Sequence, residues 1–297
     1  MADSHARSRP APGTPTPFVW TPDSVARFWE TARRTPLGDS DFAKTAGRKL
    51  PEMMDRLIAR PGARVLDFGC GSPALAKGLA ALGHTVHGFE PSLPPEEAEE
   101  GEGWTMSGTV PDEPFDVVIV SEVYEHILEE ELDAAADGWA VLVRPGGRLI
   151  ITTPHAENLQ GNLCLCPACD TLFHRWQHVR SVTLEELETR FGDGKDWRRV
   201  HAGKYDFSNM CGKLSDLKRY GRNRDRLGEL LGDTLGREVA AMGLDGAPDA
   251  AQVASLADAL AARVVSIIEE GPIMDAGFDH SEGRGHILVY VAERLPA

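Results

Sequence analysis

The chain lacks an apolar run long enough to cross a membrane: segments such as Val117–Val120 and Val264–Ile268 have the size of a strand or a core element. Residues 1–19 also lack the apolar stretch of a secretory signal, and their first part is rich in Pro, Ser, Arg and Ala. This composition predicts a disordered tail over 1–19. We therefore expect a cytoplasmic protein with no membrane partner.

Basic residues are scarce, since 31 Lys and Arg stand against 46 Asp and Glu, which gives a net charge of −15. This balance argues against a nucleic-acid partner, because phosphate binding depends on Lys and Arg. Cysteine is scarce too, and its odd count of five excludes a complete disulfide framework. The remaining composition is that of a globular protein, and 297 residues can bury an α/β core and one extra module.

The chain divides into five parts by pattern. Helical periodicity over residues 20–60 predicts an N-terminal helical cap, and residues 61–207 alternate strand and helix patterns, as in an α/β core. Residues 208–278 are mostly helical in pattern and form a predicted insert, and residues 279–297 contain the last core strand.

The start of the core predicts a βαβ unit. Arg64–Phe68 is a short apolar strand, Gly69-Cys70-Gly71 is a turn, and Ser72 and Pro73 suit the first positions of a helix. Thr85–Glu90 forms the next strand. Because a helical crossover joins them, the two strands should be parallel. The acidic segment 94–103 that follows is too short for a full second crossover helix.

A cofactor-binding loop follows from the same residues. Gly69 and Gly71 remove Cβ atoms where a ligand must approach the backbone, and Glu90 lies where an acidic residue binds a ribose diol. With Ala74, the glycines also fit a dinucleotide fingerprint. Asp67 argues against that alternative, since its carboxylate would repel a pyrophosphate but suit an ammonium group.

Four motifs in order, VLDFGCG, GFEPS, FDVVIVSEVYEHI and LVRPGGRLIITTP, resemble those of class I methyltransferases, which use S-adenosylmethionine. The resemblance is nearest to small-molecule enzymes like the ubiquinone-biosynthesis O-methyltransferases. It implies a doubly wound α/β fold with a seven-stranded, mostly parallel sheet of order 3-2-1-4-5-7-6, whose last strand is antiparallel.

The resemblance also implies roles for individual residues. Asp67, Gly69, Cys70 and Gly71 would hold the methionine part of the cofactor and Glu90 the ribose, while Ser121 and Glu122 would line the site. The third strand, near Trp104–Gly108, lacks the Asp that usually follows it and holds adenine. We expect backbone groups or Ser107 to take that role.

Candidate catalytic residues follow the fourth and fifth strands, because ligands of such sheets bind at the carboxyl ends of strands. They are Tyr124, Glu125, His126 and His155. His126 is the first candidate for a general base, since imidazole titrates near neutral pH. The alternative is that His126 merely supports the following helix.

A metal site is predicted from Cys166, Cys169, His174 and His178, whose C-x2-C and H-x3-H spacings are typical of tetrahedral zinc. Cys164 is a spare thiolate. The segment resembles an insert of some bacterial methyltransferases, a CPxC pair followed by FHRWQHVRS. We expect structural zinc, because four protein ligands leave no open position. Free cysteines are the alternative.

The predicted insert is basic in its first half, at Lys213, Lys218, Arg219, Arg222, Arg224 and Arg226. It forms either a solvated helix face or a lid or homodimer element that attracts an anionic acceptor. The sequence thus favours methyl transfer to a small molecule such as a sugar, a phenol or another secondary metabolite. Two alternatives stay open: NAD-linked redox chemistry, and a zinc-stabilised module that binds S-adenosylmethionine without methyl transfer.

Overall fold

The computed structural model describes residues 15–47, 49–194, 196–206, 274–275 and 286–296. Residues 1–14 of the predicted tail lie outside this part of the chain. Apart from Met274–Asp275, so does the predicted helical insert, together with its basic residues and Cys211.

Six α-helices and twelve strands form the described part of the chain. The helices are α1 Pro22–Arg33, α2 Phe42–Ala46, α3 Lys49–Ile58, α4 Ala74–Ala81, α5 Leu132–Leu142 and α6 Leu184–Phe191. The strands are β1 Thr16–Pro17, β2 Arg64–Phe68, β3 Thr85–Phe89, β4 Glu99–Gly101, β5 Trp104–Ser107, β6 Phe115–Ser121, β7 Val143–Pro154, β8 Leu163–Leu165, β9 Thr171–His174, β10 Trp197–Asp206, β11 Met274–Asp275 and β12 His286–Arg294.

The central sheet has nine strands among the described residues, in the order β11-β10-β12-β7-β6-β2-β3-β5-β4. The expected number was seven, and the two additional strands, β4 and β11, extend the two edges. The inner seven follow the order 3-2-1-4-5-7-6 when they are numbered along the chain. Neighbours from β5 to β7 are parallel, and β12 is antiparallel to both β7 and β10.

Strand order reverses between β2 and β6, which is where an open α/β sheet forms a crevice at its carboxyl edge. The crossover between β3 and β5 contains no α-helix, only a 3-10 turn at Pro95–Glu97 and the edge strand β4. The expectation of a shortened crossover is therefore confirmed.

Both faces of the sheet are buried, so its strands read as continuous apolar runs. Along β6, Val117 and Ile119 pack on the side of α3 and α4, whereas Val118 and Val120 pack on the side of α5 and α6. Each such side chain, fully buried, contributes about 1.5–3 kcal/mol of transfer free energy. The two clusters together define which face of the sheet packs against α3 and α4 and which packs against α5 and α6.

The N-terminal cap packs on the core through a close helix contact. A Cβ atom on Gly78 of α4 would lie 2.6 Å from Cγ of Pro51 in α3. Thr21 caps α1 by accepting a hydrogen bond from the backbone N–H of Ser24 at 3.3 Å, and Pro22 begins that helix. Asp41 caps the short helix α2 in the same way, through the N–H of Ala43 at 2.7 Å.

A second sheet of three strands, in the order β1-β9-β8, adjoins the core. Thr16 and Pro17 pair in parallel with Thr171 and Leu172 of β9. The expectation of a tail through residue 19 is thus wrong for this part, because backbone pairing holds these residues to the β8–β9 hairpin. In the described part of the chain no helix has the length and apolar character that crossing a membrane requires.

Candidate active site

A cavity of about 1170 Å³ lies between the cap and the carboxyl ends of the central strands. It exceeds the usual range for a single small ligand, so it has room for a cofactor and an acceptor. All seven residues that were expected to hold the cofactor line it: Asp67, Gly69, Cys70, Gly71, Glu90, Ser121 and Glu122.

Two glycines of the loop after β2 adopt left-handed backbone conformations, with φ of +72° at Gly69 and +59° at Gly71. A side chain at Gly69 would also place its Cβ 2.7 Å from Cγ2 of Val123, closer than van der Waals contact. The loop therefore needs glycine at this position for both its backbone and its packing.

Asp67, at the end of β2, is buried, and its Oδ2 atom has no hydrogen-bond partner in the described structure. Burial raises the pKa of Asp67 to about 8, with further contributions from Asp41 and Glu90. Asp41 also lines the cavity, and its own Oδ2 is buried without a partner. Two carboxyl groups, each with an oxygen that lacks a hydrogen-bond partner among the described residues, thus lie beside the glycine loop, which suits a positively charged ligand group.

Glu90 follows β3 and closes the opposite side of the loop. Its Oε2 accepts a hydrogen bond from the N–H of Gly71 at 3.1 Å, and its Oε1 accepts bonds from the N–H and the hydroxyl of Ser92 at 3.0 and 2.6 Å. These contacts orient the carboxylate beside the glycine loop. Each oxygen has further lone pairs, so Glu90 can still accept hydrogen bonds from a ligand diol.

Ser107 does not meet the expectation of a role in holding adenine. It is not among the residues that line the cavity, and its hydroxyl donates to the backbone oxygen of Thr109 at 3.0 Å. The turn after β5 therefore uses this side chain for its own stability.

Glu122 lies directly after β6 and has an uncommon φ of +54° for a residue with a side chain. It accepts a hydrogen bond from the hydroxyl of Thr152 at 2.9 Å, and Thr152 also contacts the hydroxyl of Ser121 at 2.9 Å. Burial raises the pKa of Glu122 to about 8 despite the Thr152 hydrogen bond. The strained turn directs this carboxyl into the cavity.

Tyr124 does not take the catalytic position that the sequence suggested. Its side chain is fully buried in the core beside Trp139, with the Arg180 guanidinium 5.7 Å from the ring centre, and it does not line the cavity. The reason is the 3-10 turn at Tyr124–His126, which sends successive side chains in different directions.

His126 and His155 both line the cavity, as expected of residues after the fourth and fifth core strands. Burial, together with the neighbouring His178, lowers the pKa of His126 to about 3. His126 is therefore neutral near pH 7, and it is a weak proton acceptor. The ring of Trp29, from the cap, packs edge-on against it with the centroids 4.8 Å apart.

The sequence named Glu125 as a candidate after the fourth core strand, but it did not indicate Glu157, Trp29 or Asp41. Glu125 is 1% exposed, and neither of its carboxylate oxygens has a hydrogen-bond partner in the described structure. Burial raises its pKa well above the usual value, and Glu122 raises it further. Glu157, Trp29 and Asp41 line the same cavity. The sequence predicted only some of the acidic residues that line the cavity, because Asp41 and Glu157 lie in loops outside any motif.

The four-ligand zinc site is not assembled among the described residues. Two groups of three side chains bring their potential ligand atoms within 4.8 Å of one another, namely Glu125-His126-His178 and Glu157-His174-His178, and neither contains a cysteine. The strand register explains this. Leu163 pairs with His174 at one end of the β8–β9 hairpin, whereas Cys166 and Cys169 form its turn at the other end, ~10 Å along the strand.

The cysteines of that turn are accessible, and Cys169 contacts the hydroxyl of Thr171 through its Sγ at 3.1 Å. Nδ1 of His174 accepts hydrogen bonds from the backbone N–H groups of His178 and Trp176 at 3.1 and 3.3 Å. His174 therefore carries its proton on Nε2, which faces Glu157 at 3.3 Å. This histidine shapes the turn 174–178 and has no lone pair left for an ion.

The arrangement defines a doubly wound α/β protein with a cavity at its topological switch point, where ligands of such sheets bind, and six acidic side chains and three Lys and Arg residues line this cavity. Residues 42–193 match the model of a family described as "Methyltransferase domain", and since this is half of the chain, the protein belongs to that family.

Two curated relatives show the extent of the similarity. An uncharacterised methyltransferase of Anoxybacillus flavithermus is 30% identical over 106 residues, which are 33% of this chain and 50% of the relative. A ubiquinone biosynthesis O-methyltransferase of Rhizobium leguminosarum bv. trifolii is 34% identical over 158 residues, which are 45% of this chain and 60% of the relative. The chain thus spans only half to three fifths of the length of these two relatives.

Among solved structures, the [4+2]-cyclase SpnF is similar over 96% of this chain and 100% of its own, with a TM-score of 0.50 and 14% identity. At this identity the likeness shows the fold alone.

Proposed function

We propose that the protein transfers the methyl group of S-adenosylmethionine to a small-molecule acceptor bound in the same cavity. The observation that carries the proposal is Asp67, a buried carboxyl whose Oδ2 lacks a partner beside the loop of Gly69 and Gly71. A buried carboxylate without a partner is costly, and the ammonium group of a methionine moiety would offset that cost.

The same observation argues against a dinucleotide cofactor. A pyrophosphate at the glycine loop would carry negative charge next to Asp67, Asp41 and Glu90, all of which line the cavity. S-adenosylmethionine instead brings an ammonium and a sulfonium group, together with a ribose whose hydroxyls suit Glu90.

The cofactor would supply an activated methyl carbon, and the protein's task would be to align an acceptor atom in line with the carbon–sulfur bond. Alignment of this kind contributes several orders of magnitude in rate. Ser121 is the last residue of β6 and Glu122 follows it, and strand order reverses between β6 and its neighbour β2. We therefore infer that the cofactor and the acceptor meet beside these two residues.

The acceptor end of the cavity supports a neutral or positively charged small molecule. It combines the carboxyls of Glu122, Glu125 and Glu157 with the indole rings of Trp29 and Trp176. A phenol, a sugar or an amine-bearing secondary metabolite fits this lining better than an anion does, because like charges repel in a cavity of low dielectric constant. An anionic acceptor would depend on the basic segment at 213–226, outside the described residues.

The test is isothermal titration of the full chain with S-adenosylmethionine, S-adenosylhomocysteine and NAD. We expect both sulfur nucleosides to bind and NAD not to bind. Asp67→Asn and Glu90→Gln should each weaken the binding at least about tenfold, since each removes a charge-assisted contact worth about 1.5–3 kcal/mol.

Asp112→Asn and Glu113→Gln are matched controls, because both residues are exposed, lie outside the cavity and undergo the same change of charge. They should leave binding unchanged. Binding of NAD alone would favour the redox alternative, and binding of no nucleoside would favour an interaction module. A cytoplasmic location and a homodimer stay predictions.

A further inference from the structure

Glu157 and His178 form a hydrogen-bonded pair at the acceptor end of the cavity, which both residues line. Nδ1 of His178 contacts Oε2 of Glu157. The other carboxylate oxygen, Oε1, accepts a hydrogen bond from Nδ2 of Asn162 at 2.6 Å and faces Nε2 of His174 at 3.3 Å. The hydrogen bonds of His178 and Asn162 thus hold the Glu157 carboxylate in one orientation.

The ionised state of Glu157 determines the tautomer of His178. Asn162 donates to Oε1 and Nδ1 of His178 contacts Oε2, so the carboxyl of Glu157 accepts on both oxygens, as an ionised carboxylate does. The contact with Oε2 places the proton of a neutral His178 ring on Nδ1. In that neutral ring, Nε2 has the lone pair.

His178 lies close to the other polar groups of this end of the cavity. One of its ring nitrogens is within 4.8 Å of a carboxylate oxygen of Glu125 and of a ring nitrogen of His126. The centres of the His178 and His126 rings are 4.8 Å apart, and the rings of His178 and His174 are stacked with their centres 4.5 Å apart. The His178 ring therefore packs against two neighbouring rings while it borders the cavity.

His126, the base expected from the sequence, has no comparable support. Its Nδ1 is buried without a hydrogen-bond partner in the described structure, whereas Nδ1 of His178 contacts the Glu157 carboxylate directly. A base needs such stabilisation, because its ring becomes an imidazolium during proton transfer.

We propose that His178, oriented by Glu157, is the catalytic residue that takes the proton of the acceptor during methyl transfer. The inference rests on the proposed function. The acceptor heteroatom forms a bond to the methyl carbon, the carbon–sulfur bond breaks and its electron pair goes to sulfur. The heteroatom's proton goes to Nε2 of His178, whose positive charge the Glu157 carboxylate stabilises. Water then accepts this proton when the product leaves. Glu157 acts as a positioning residue.

The test needs no known acceptor. Nitrogen-15 NMR of labelled histidine in the full chain, saturated with S-adenosylhomocysteine, reports which ring nitrogen carries the proton, and His178→Gln assigns the signals. We expect the Nδ1–H tautomer of His178 in excess, and at least about a tenfold loss of that preference in Glu157→Gln. Glu130→Gln, an exposed glutamate outside the cavity, is the matched control and should change nothing.

Access to the lone pair is measured by diethyl pyrocarbonate, which acylates unprotonated imidazole nitrogens, followed by peptide mass spectrometry. His178 should react faster than His126, and several-fold more slowly in Glu157→Gln. An Nε2–H tautomer, an unreactive His178, or a shift of its Nε2 signal on adding Mg²⁺ or Zn²⁺ would each overturn the inference. Titration of the same samples with S-adenosylmethionine separates the two proposals: a wild-type chain that binds no cofactor refutes the proposed function itself.

Discussion

The indole N–H of Trp29 donates a hydrogen bond of 2.8 Å to the side-chain oxygen of Gln177, 148 residues further along the chain. The side-chain nitrogen of Gln177 donates in turn to the backbone oxygen of His126 at 3.0 Å. Gln177 is fully buried and has a φ of +62°. One amide therefore joins the cap, the turn after β9 and the turn after β6, and it fixes the wall of the acceptor site.

We expect Trp29→Phe to lower the free energy of unfolding by about 1–2 kcal/mol, because it leaves the buried oxygen of Gln177 without a donor. Urea denaturation monitored by circular dichroism measures this. Trp20→Phe is the control, since Trp20 packs on aromatic rings at the edge of the cap but makes no recorded hydrogen bond through its indole. Equal losses in the two variants would mean that ring packing, and not the hydrogen bond, stabilises the cap.

Asp67→Asn should stabilise the ligand-free protein while it weakens cofactor binding. Because the folded state holds a proton on Asp67 up to a pKa of about 8, against 3.8 in an unperturbed carboxyl, stability falls as pH rises between these values. Asparagine does not ionise, so the variant does not lose stability in this way as the pH rises. At pH 7 we expect a gain of about 1–3 kcal/mol in the free energy of unfolding. Thermal denaturation from pH 5 to pH 8 tests it, and a variant whose stability keeps the wild-type pH dependence would contradict it.

The same residue predicts proton release on cofactor binding. A cationic ligand favours the ionised form of Asp67, so affinity should rise with pH toward about 8 and level off above. Calorimetry at pH 7 in buffers of different ionisation enthalpy counts the protons released. Asp67→Asn should release fewer, which also separates this effect from titration of the ligand's own amine.

Gly69→Ala combines backbone strain with a steric clash, since φ is +72° and the new Cβ would lie 2.7 Å from Cγ2 of Val123. Gly83→Ala is its matched control: φ is +94° there, but no atom lies within 4 Å of the new Cβ. Strain alone costs about 1–2 kcal/mol. We expect the Gly69 variant to lose more stability than the control and to lose cofactor binding as well. Denaturant titration and calorimetry of both variants give the comparison.

The cysteines of the β8–β9 turn should be dispensable for folding. A Cys166→Ser, Cys169→Ser double variant should unfold within about 0.5 kcal/mol of the wild type, as for surface substitutions. Elemental analysis of the purified chains provides the second readout. If the wild-type chain contains one zinc ion and the double variant contains none, the zinc site predicted from the sequence would be supported after all.

The sequence was sufficient to predict the local structure of the glycine loop, because its parts follow one another along the chain. A strand, two glycines and a helix follow one another within Arg64–Ala81, and parallel pairing then brings Glu90 alongside. It was not sufficient for the acceptor end. There, Glu157 meets His178, 21 residues further along, because the β8–β9 hairpin returns the chain, and no periodicity or motif encodes that contact.

Two misassigned roles have local causes of the same kind. Tyr124 and His126 are two residues apart, yet a single 3-10 turn directs one into the core and the other to the cavity. The spacing of Cys166, Cys169, His174 and His178 is compatible with zinc, but the hairpin register separates the thiols from the rings. In both cases the residue types were informative, whereas the side-chain directions required the tertiary structure.

Six carboxyl side chains and three Lys and Arg residues line the cavity, and a cationic ligand favours the ionised form of the buried carboxyls. Under the proposed function, the cofactor would enter with a positive charge at sulfur and leave as a neutral thioether. The Coulomb attraction between that charge and the ionised carboxyls would disappear with the charge. We therefore expect the transfer step itself to weaken the binding of the spent cofactor.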